Sequence, residues 1–210
     1  MTGAYGRGVE SPSAFLAGLL FSLSLIVAIG AQNAYVLRQG ARRAHVGTVV
    51  FICAASDVVL IAAGVAGVGA VVAVQPQLLM LVRGAGAALL LAYGVLAARR
   101  ALSRARDSLV AGEAGATRRT VIATTLGFTW LNPAVYLDTL VLLGSVASAH
   151  PGSRWWFGAG AATASVAWFI GLGFGARLLA PLLRRPLAWR LLDAFVALVM
   201  AITAVRTLPS

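Results

Sequence analysis

Six long apolar stretches, separated by short polar segments, limit what this chain can fold into. Each is about twenty residues or longer, enough for an α-helix to cross about 30 Å of hydrocarbon at about 1.5 Å per residue. None alternates like a barrel strand, so helices must satisfy the backbone in lipid. We predict an all-α integral membrane protein with six transmembrane helices. The predicted spans lie at about residues 14 to 37, 46 to 73, 77 to 97, 120 to 148, 156 to 180 and 188 to 207.

Composition and charge agree with a membrane protein and argue against a nucleic-acid partner. Hydrophobic residues make up 60% of the chain and charged residues 11%, whereas soluble domains are about half apolar and a quarter charged. The net charge is +11, and all 17 basic residues are arginines, most of them between apolar stretches. This spread leaves no compact basic domain for DNA or RNA, but it suits contact with anionic membrane lipid.

The distribution of arginine also predicts the orientation. The first, third and fifth loops hold most of the arginines, and the third, at about residues 99 to 119, is the one long polar segment. By the positive-inside rule these loops face the cytoplasm, and six spans then place both termini outside. The single cysteine, Cys53, lies within an apolar stretch, and no metal-site spacing accompanies it.

The two halves of the chain, about 14 to 97 and 120 to 207, resemble each other weakly. "ASDVVLIAAG" from Ala55 aligns with "ASVAWFIGLG" from Ala164, and "QNAYVL" from Gln32 aligns with "LNPAVYL" from Leu131 if one residue is inserted. Three spans per half would make the two repeats inverted in the membrane, which is a common transporter plan with its site near the midplane. We therefore predict a single transmembrane transporter domain, residues 1–210, with a 3+3 inverted repeat.

Acidic residues are scarce, and two of the six lie deep in predicted spans. Asp57 and Asp138 are each twelve residues from the nearest histidine that marks a span end, or about 18 Å along a helix. An acid at such depth costs about 2.5 to 3.5 kcal/mol on insertion scales and usually lines a cavity or has a partner. A protonated, structurally hydrogen-bonded carboxyl is one interpretation. The other is a carboxylate whose counter-charge is a cationic substrate or a proton.

No arginine lies deep in a predicted span, so an internal ion pair would need Arg83, Arg177 or Arg190 to reach inward. Asp193 is near the start of the sixth span, and a solvated or capping role is expected for it. Small residues, such as Gly171 and Gly175 in GxxxG spacing, predict close helix packing.

Two amide-containing segments predict interruptions of the helices. In "TWLNPAVYLDT", Pro133 removes a helix hydrogen bond and frees carbonyls that Asn132 can partly satisfy. In "IGAQNAYVLRQG", either the first helix breaks at Gly30 or the two amides line an inner vestibule. Broken helices can hold a carboxylate at free N–H groups and a cation at free carbonyls. The candidate substrate-binding or proton-coupling residues are Asp57, Asp138, Gln32, Asn33, Asn132, Pro133 and Tyr136.

Three segments together resemble conserved blocks of the LysE family of basic amino-acid exporters. These are "IGAQNAYVLRQGARR", "CAASDVVLIAAGVAGVGA" and "FTWLNPAVYLDTLVLLGS". The resemblance implies export of lysine or arginine from the bacterial cytoplasm across the inner membrane, driven by the proton motive force without an organic cofactor. It also implies function for Asp57 and Asp138. Ala134 departs from the family, whose members often carry histidine or asparagine there.

On this basis we expect the cationic head of the substrate to bind Asp57 and Asp138, with one acid free to carry a proton. The substrate's carboxylate would bind backbone amides near the two breaks. The alternatives are an exporter of another small solute, either a neutral amino acid or a metal cation, and a passive channel. A membrane enzyme ranks third. The choice between lysine and arginine stays open, as does a homo-oligomer.

Overall fold

The fold of this chain is described by a computed structural model for residues 5–27, 30–67, 76–102, 117–132, 135–149, 152–179 and 186–207. Every regular element within these residues is helical, which confirms the predicted all-α class for them. Most of the predicted third loop, at 103–116, and Pro133 lie outside the described residues. The elements are α1 (Tyr5–Ile26), α2 (Ala31–Arg42), α3 (Val46–Val65), α4 (Pro76–Leu102), α5 (Arg118–Trp130), a π-helix (Tyr136–Leu142), α6 (Leu143–Ser148), α7 (Arg154–Gly175), a 3₁₀ turn (Ala176–Leu179) and α8 (Pro186–Thr207).

Length and apolar composition qualify two helices of the described residues as membrane spans. One is α3, with 20 residues, and the other runs from Arg154 to Leu178, with 25. A third candidate joins α1 to α2 across the break between them, and Ala87–Arg99 and Tyr136–Ser148 are shorter apolar helices. The count of six spans and the 3+3 repeat therefore stay predictions.

The first predicted span is divided into two helices. α1 ends at Ile26 and α2 begins at Ala31, with Gly30 between them in an extended conformation and no side-chain cap on α2. α2 ends in a Schellman-type cap, in which the Ala44 N–H donates to the Gln39 carbonyl at 3.1 Å and Arg43 takes the left-handed conformation. The helix break predicted at Gly30 is therefore present, whereas a vestibule lined by Gln32 and Asn33 stays a prediction.

The fourth predicted span is also interrupted. Thr117 caps α5 by accepting a hydrogen bond from the Thr120 N–H at 3.3 Å. α5 ends at Trp130. A proline follows Asn132 in the sequence, and the residue before a proline rarely takes the helical conformation, so the helix does not continue through Asn132. The π-helix Tyr136–Leu142 follows. At its end the Leu143 N–H donates a hydrogen bond to the Asp138 carbonyl, five residues earlier in the chain.

The chain divides into two compact units that each take segments from both predicted halves. The first unit comprises residues Met1–Ala28, Ala54–Leu79 and Pro133–Trp168, and the second comprises Ile29–Cys53, Met80–Asn132 and Phe169–Ser210. The helices α3 and α7 each contribute residues to both units. The two compact units therefore do not coincide with the two predicted halves of the sequence.

Close approaches at glycine organise the first unit. A Cβ on Gly18 would collide with the Phe157 carbonyl oxygen, and one on Gly160 with the Phe15 carbonyl oxygen, so α1 and α7 pack backbone to backbone. In the same way α3 meets the helices after Asn132, because a Cβ on Gly144 would lie 2.6 Å from the Gly64 carbonyl oxygen. The apolar core of this unit contains Ala14, Ile61, Val65, Leu143, Ala147, Phe157 and Ala161.

The second unit is built around α2. Its Gly40 approaches the Gly173 carbonyl on α7 so closely that a side chain there would collide with it. The aromatic rings of Tyr35, Tyr93 and Phe128, from α2, α4 and α5, form a triangle with centroid distances of 5.0 to 5.6 Å. By contrast, a Cβ on Gly171 or Gly175 would meet no atom of the described residues within 4 Å, so the close packing predicted from their GxxxG spacing is wrong for that part of the chain.

Gly160→Ala should destabilise the protein by about 1 to 3 kcal/mol, as overpacked cores do, because the new Cβ collides with backbone that has no rotamer to change. Thermal unfolding of the purified protein in detergent measures the effect. Gly171→Ala on the same helix is the matched control, and it should be neutral or slightly stabilising, since Gly costs about 0.5 to 1 kcal/mol relative to Ala in a helix. Equal unfolding temperatures for the two variants would contradict the backbone contact.

Candidate functional site

Asp57 is a buried acid in the first unit. It lies on α3 and is 8% exposed. The Ser165 hydroxyl, on the fully buried face of α7, donates a hydrogen bond of 2.7 Å to Asp57 Oδ2. Among the described residues this hydroxyl is the hydrogen-bond partner found for the carboxylate, and no arginine or histidine there forms an ion pair with it. The structure thus places a carboxylate inside the protein that forms no ion pair with any arginine or histidine of the described residues.

Asp138 belongs to the same unit and lies in the π-helix. Its side chain is half-buried, as is that of Tyr136 two residues earlier. The π-helix packs directly on α3, because a Cβ on Gly64 would lie 2.5 Å from the Thr139 carbonyl oxygen. Gly64 is two helical turns from Asp57 and therefore on the same face of α3. Both predicted acids thus belong to the same pair of packed elements, although the structure gives no direct contact between their carboxylates.

The predicted amides fall in the second unit. Asn33, on the first turn of α2, and Asn132, after α5, are both buried and 7% exposed. Gln32 is half-buried, and its Nε2 is a buried donor without a hydrogen-bond partner among the described residues. Pro133 lies outside those residues. Binding of a substrate carboxylate near these amides stays a prediction of the sequence.

Asp193 corrects two predictions made from the sequence. It is neither solvated nor a helix cap but is buried on α8, and Arg38 Nε lies 3.1 Å from its Oδ1. These two atoms form an ion pair by distance, without hydrogen-bond geometry between them. Arg38 was not among the arginines expected to reach inward. Both errors have one cause: distance from a helix end does not determine burial here, because α2 is enclosed by other helices of its unit.

Ser165 and the π-helix are the features of the site that sequence reasoning missed. A signal for Ser165 existed, because the repeat alignment pairs it with Ser56, the residue beside Asp57. No comparable sequence pattern predicts the π-helix. π-helices often occur at functional sites.

The candidate substrate-binding residues do not line the cleft of the second unit, and they form no metal site within the described part of the chain. Within the described part of the chain there is no group of three or more His, Cys, Asp or Glu side chains that could hold a metal ion. The second unit contains a cleft of about 580 Å³ with two exposed arginines at its edge. It is lined by Gly40, Arg43, Val46, Gly173, Phe174, Arg177 and Leu178.

The sequence profile of the LysE type translocators matches residues 23–209. The chain belongs to this family. It is 47% identical over 192 residues to a putative amino-acid transporter of Mycobacterium tuberculosis, covering 90% of this chain and 94% of the relative. It is 43% identical over 187 residues to an arginine exporter of Serratia proteamaculans (89% and 91% covered). It is 36% identical over 220 residues to a lysine exporter of Corynebacterium diphtheriae (91% and 96% covered).

No solved structure matches the chain significantly. Family membership identifies the chain as a membrane translocator of the amino-acid exporter class, and the resemblance seen in the sequence is confirmed. The family comprises transporters and not enzymes.

Ser165→Ala should lower stability by about 1 to 3 kcal/mol, because a buried carboxylate loses its donor. Thermal unfolding in detergent measures this loss. Thr163→Ala on the same helix is the control, since Thr163 is exposed and its hydroxyl donates only to the Ala159 carbonyl. It should change stability by no more than about 0.5 kcal/mol.

The same serine substitution made in an Asp57→Ala background should cost distinctly less, as expected for residues in direct contact. If Ser165→Ala cost the same in both backgrounds, the loss would not arise from the hydrogen bond to Asp57.

Proposed function

We propose that this protein exports a basic L-amino acid, with arginine as the first candidate, from the bacterial cytoplasm across the inner membrane. Two named relatives support this substrate class, one an arginine exporter and the other a lysine exporter. The arginine exporter has the higher identity, 43% against 36%. The proposed mechanism is secondary transport driven by the proton motive force.

The observation that carries the proposal is the contrast between two buried acids. Asp193 has a cationic partner, Arg38, at 3.1 Å. Asp57 has the neutral hydroxyl of Ser165 and, among the described residues, no cationic side chain. An ionised carboxylate in a low-dielectric interior is unfavourable unless a positive charge accompanies it. For Asp57 a mobile positive charge can take that role, either the head group of a basic amino acid or a proton.

Asp138 supplies the second carboxylate of the proposed site. In a π-helix each hydrogen bond spans five residues instead of the four of an α-helix. Such segments are frequent at functional sites. Two carboxylates near one monovalent cation leave one of them free to bind a proton. Alternate occupation by substrate and proton would couple export to proton entry.

Several further parts of the proposal follow from the sequence. The arginine-rich loops face the cytoplasm, both termini face outside, and the six spans form one transporter domain. Anionic membrane lipid contacts the arginines, and no organic cofactor takes part. Self-association of the chain is left open.

Asp57→Asn and Asp138→Asn should each reduce efflux of labelled arginine from preloaded proteoliposomes by at least about tenfold, which corresponds to about 1.4 kcal/mol. Asparagine keeps the size of the side chain and removes the charge that would bind the cationic head. Thr163→Ala is the control for reconstitution and should transport at the wild-type rate. Undiminished efflux by both asparagine variants would contradict the proposed role of the acids.

Competition in the same vesicles separates the alternatives. Excess unlabelled arginine or lysine should inhibit efflux of the labelled substrate, whereas a neutral amino acid or a divalent metal cation should not. An uncoupler should abolish transport against a gradient. Downhill flux that is indifferent to the uncoupler, without accumulation, would favour a passive channel.

A further inference from the structure

The short helix α2 combines a polar sequence with deep burial. It has 12 residues, or about 18 Å, too few to cross about 30 Å of hydrocarbon. Asn33, Arg38 and Gln39 are all less than a tenth exposed. Polar groups at such burial need protein or water around them rather than lipid. Contacts with neighbouring helices of the second unit must therefore hold α2 in place.

Arg38 makes the polar contacts that join α2 to two of these helices. Its Nε lies 3.1 Å from Asp193 Oδ1 on α8, and its Nη1 donates a hydrogen bond of 3.3 Å to the Tyr93 hydroxyl on α4. The side chains of Arg38 and Asp193 are only 3% and 9% exposed. Removing one member of a buried ion pair is strongly destabilising, because the remaining charge stays buried alone.

Aromatic packing supports the same face of α2. Tyr35 lies one helical turn before Arg38, and its ring packs at 5.6 Å from that of Tyr93. Tyr93 therefore contacts α2 twice, through its hydroxyl at Arg38 and through its ring at Tyr35. The apolar contact can adapt to small shifts of α2, whereas the ion pair and the hydrogen bond have defined partners.

We propose that Arg38 and Asp193 are positioning residues for transport, which fix the register of α2 and hence the placement of Gln32 and Asn33 on its first turn. The inference rests on the proposed export function. Apolar side chains of similar volume would stabilise such a contact at least as well as a buried ion pair, and the best-attested role of such pairs is to specify register. A slide of α2 by one turn, about 5.4 Å, would displace both amides by the same distance.

The decisive variant replaces the pair by apolar side chains, Arg38→Met/Asp193→Leu. It leaves no unpaired buried charge, so folding should be retained, with an unfolding temperature near that of the wild type. The charge-swapped variant Arg38→Asp/Asp193→Arg restores an ion pair between the same helices. Arg99→Met, at an exposed arginine on α4, is the control for loss of a positive charge.

Two readouts are needed, and one of them is independent of the substrate. Cys53 is the only native cysteine and is buried, so Cys53→Ala gives a background for a single probe. Asn33→Cys in that background reports the placement of the first turn of α2 through its rate of labelling by a water-soluble maleimide. The second readout is the KM and kcat of arginine transport in proteoliposomes, measured without the probe.

The apolar double variant should label at least about fivefold faster and raise KM at least about tenfold, since misplaced polar contacts to a substrate cost affinity. Its kcat should change less than its KM. The charge-swapped variant should recover both labelling and KM to within about threefold of the wild type, as pairwise coupling requires. A folded apolar variant with wild-type labelling and wild-type KM would overturn the proposal.

Tyr93→Phe keeps the inference testable if the apolar variant fails to fold. It removes the hydroxyl that binds Arg38 and keeps the ring, so KM should rise about threefold, the effect of about one net hydrogen bond at the low end of its range. Wild-type KM and labelling for Tyr93→Phe would then overturn the positioning role. If wild-type protein moved no arginine, the proposed function would fail, and the labelling rates alone would decide the placement of α2.

Discussion

The cost of burying charge in a membrane-embedded chain is the constraint on which the rest of this structure depends. An acid in a predicted span carries a penalty of about 2.5 to 3.5 kcal/mol on insertion scales, so each one needs a compensating partner. Asp193 has Arg38 across a helix interface. Asp57 has a serine hydroxyl, which stabilises the charged form by a hydrogen bond but does not neutralise it. The two acids are therefore equally hidden from water yet electrostatically different.

The helices take up their positions around these polar contacts through small residues. α1 and α7 approach until the backbone of one fills the space a Cβ would need on the other, at Gly18 and at Gly160. The same device joins α3 to the helices after Asn132, at Gly64 and Gly144. Close backbone contact of this kind supplies the packing that the hydrophobic effect cannot supply between helices in lipid. It also keeps the elements that carry Asp57 and Asp138 in direct contact.

Counting along the sequence predicted the parts of the molecule that depend on local pattern. The helical class follows from the length of the apolar stretches, the interruption at Asn132 from a proline, and the burial of Asp57 from its distance to the nearest polar segment. The same counting failed for Asp193, because its burial depends on α2, which comes from a distant part of the chain. For Gly171 and Gly175 it failed among the residues that the structure describes, because spacing alone cannot tell a packed face from an open one.

Among the described residues Asp193 is paired with Arg38 whereas Asp57 forms no ion pair, so the two acids differ in what they can offer a cationic solute. Arg38 and Asp193 together carry no net charge, so a cationic solute gains little by approaching them, and their value lies in which helices they join. Asp57 offers a net negative charge whenever it is ionised, and the attraction for a cation is strong where water is excluded. A basic amino acid in such a site would compete with a proton for the same carboxylate. Competition of this kind is the simplest physical route by which a proton gradient could drive export of a cation.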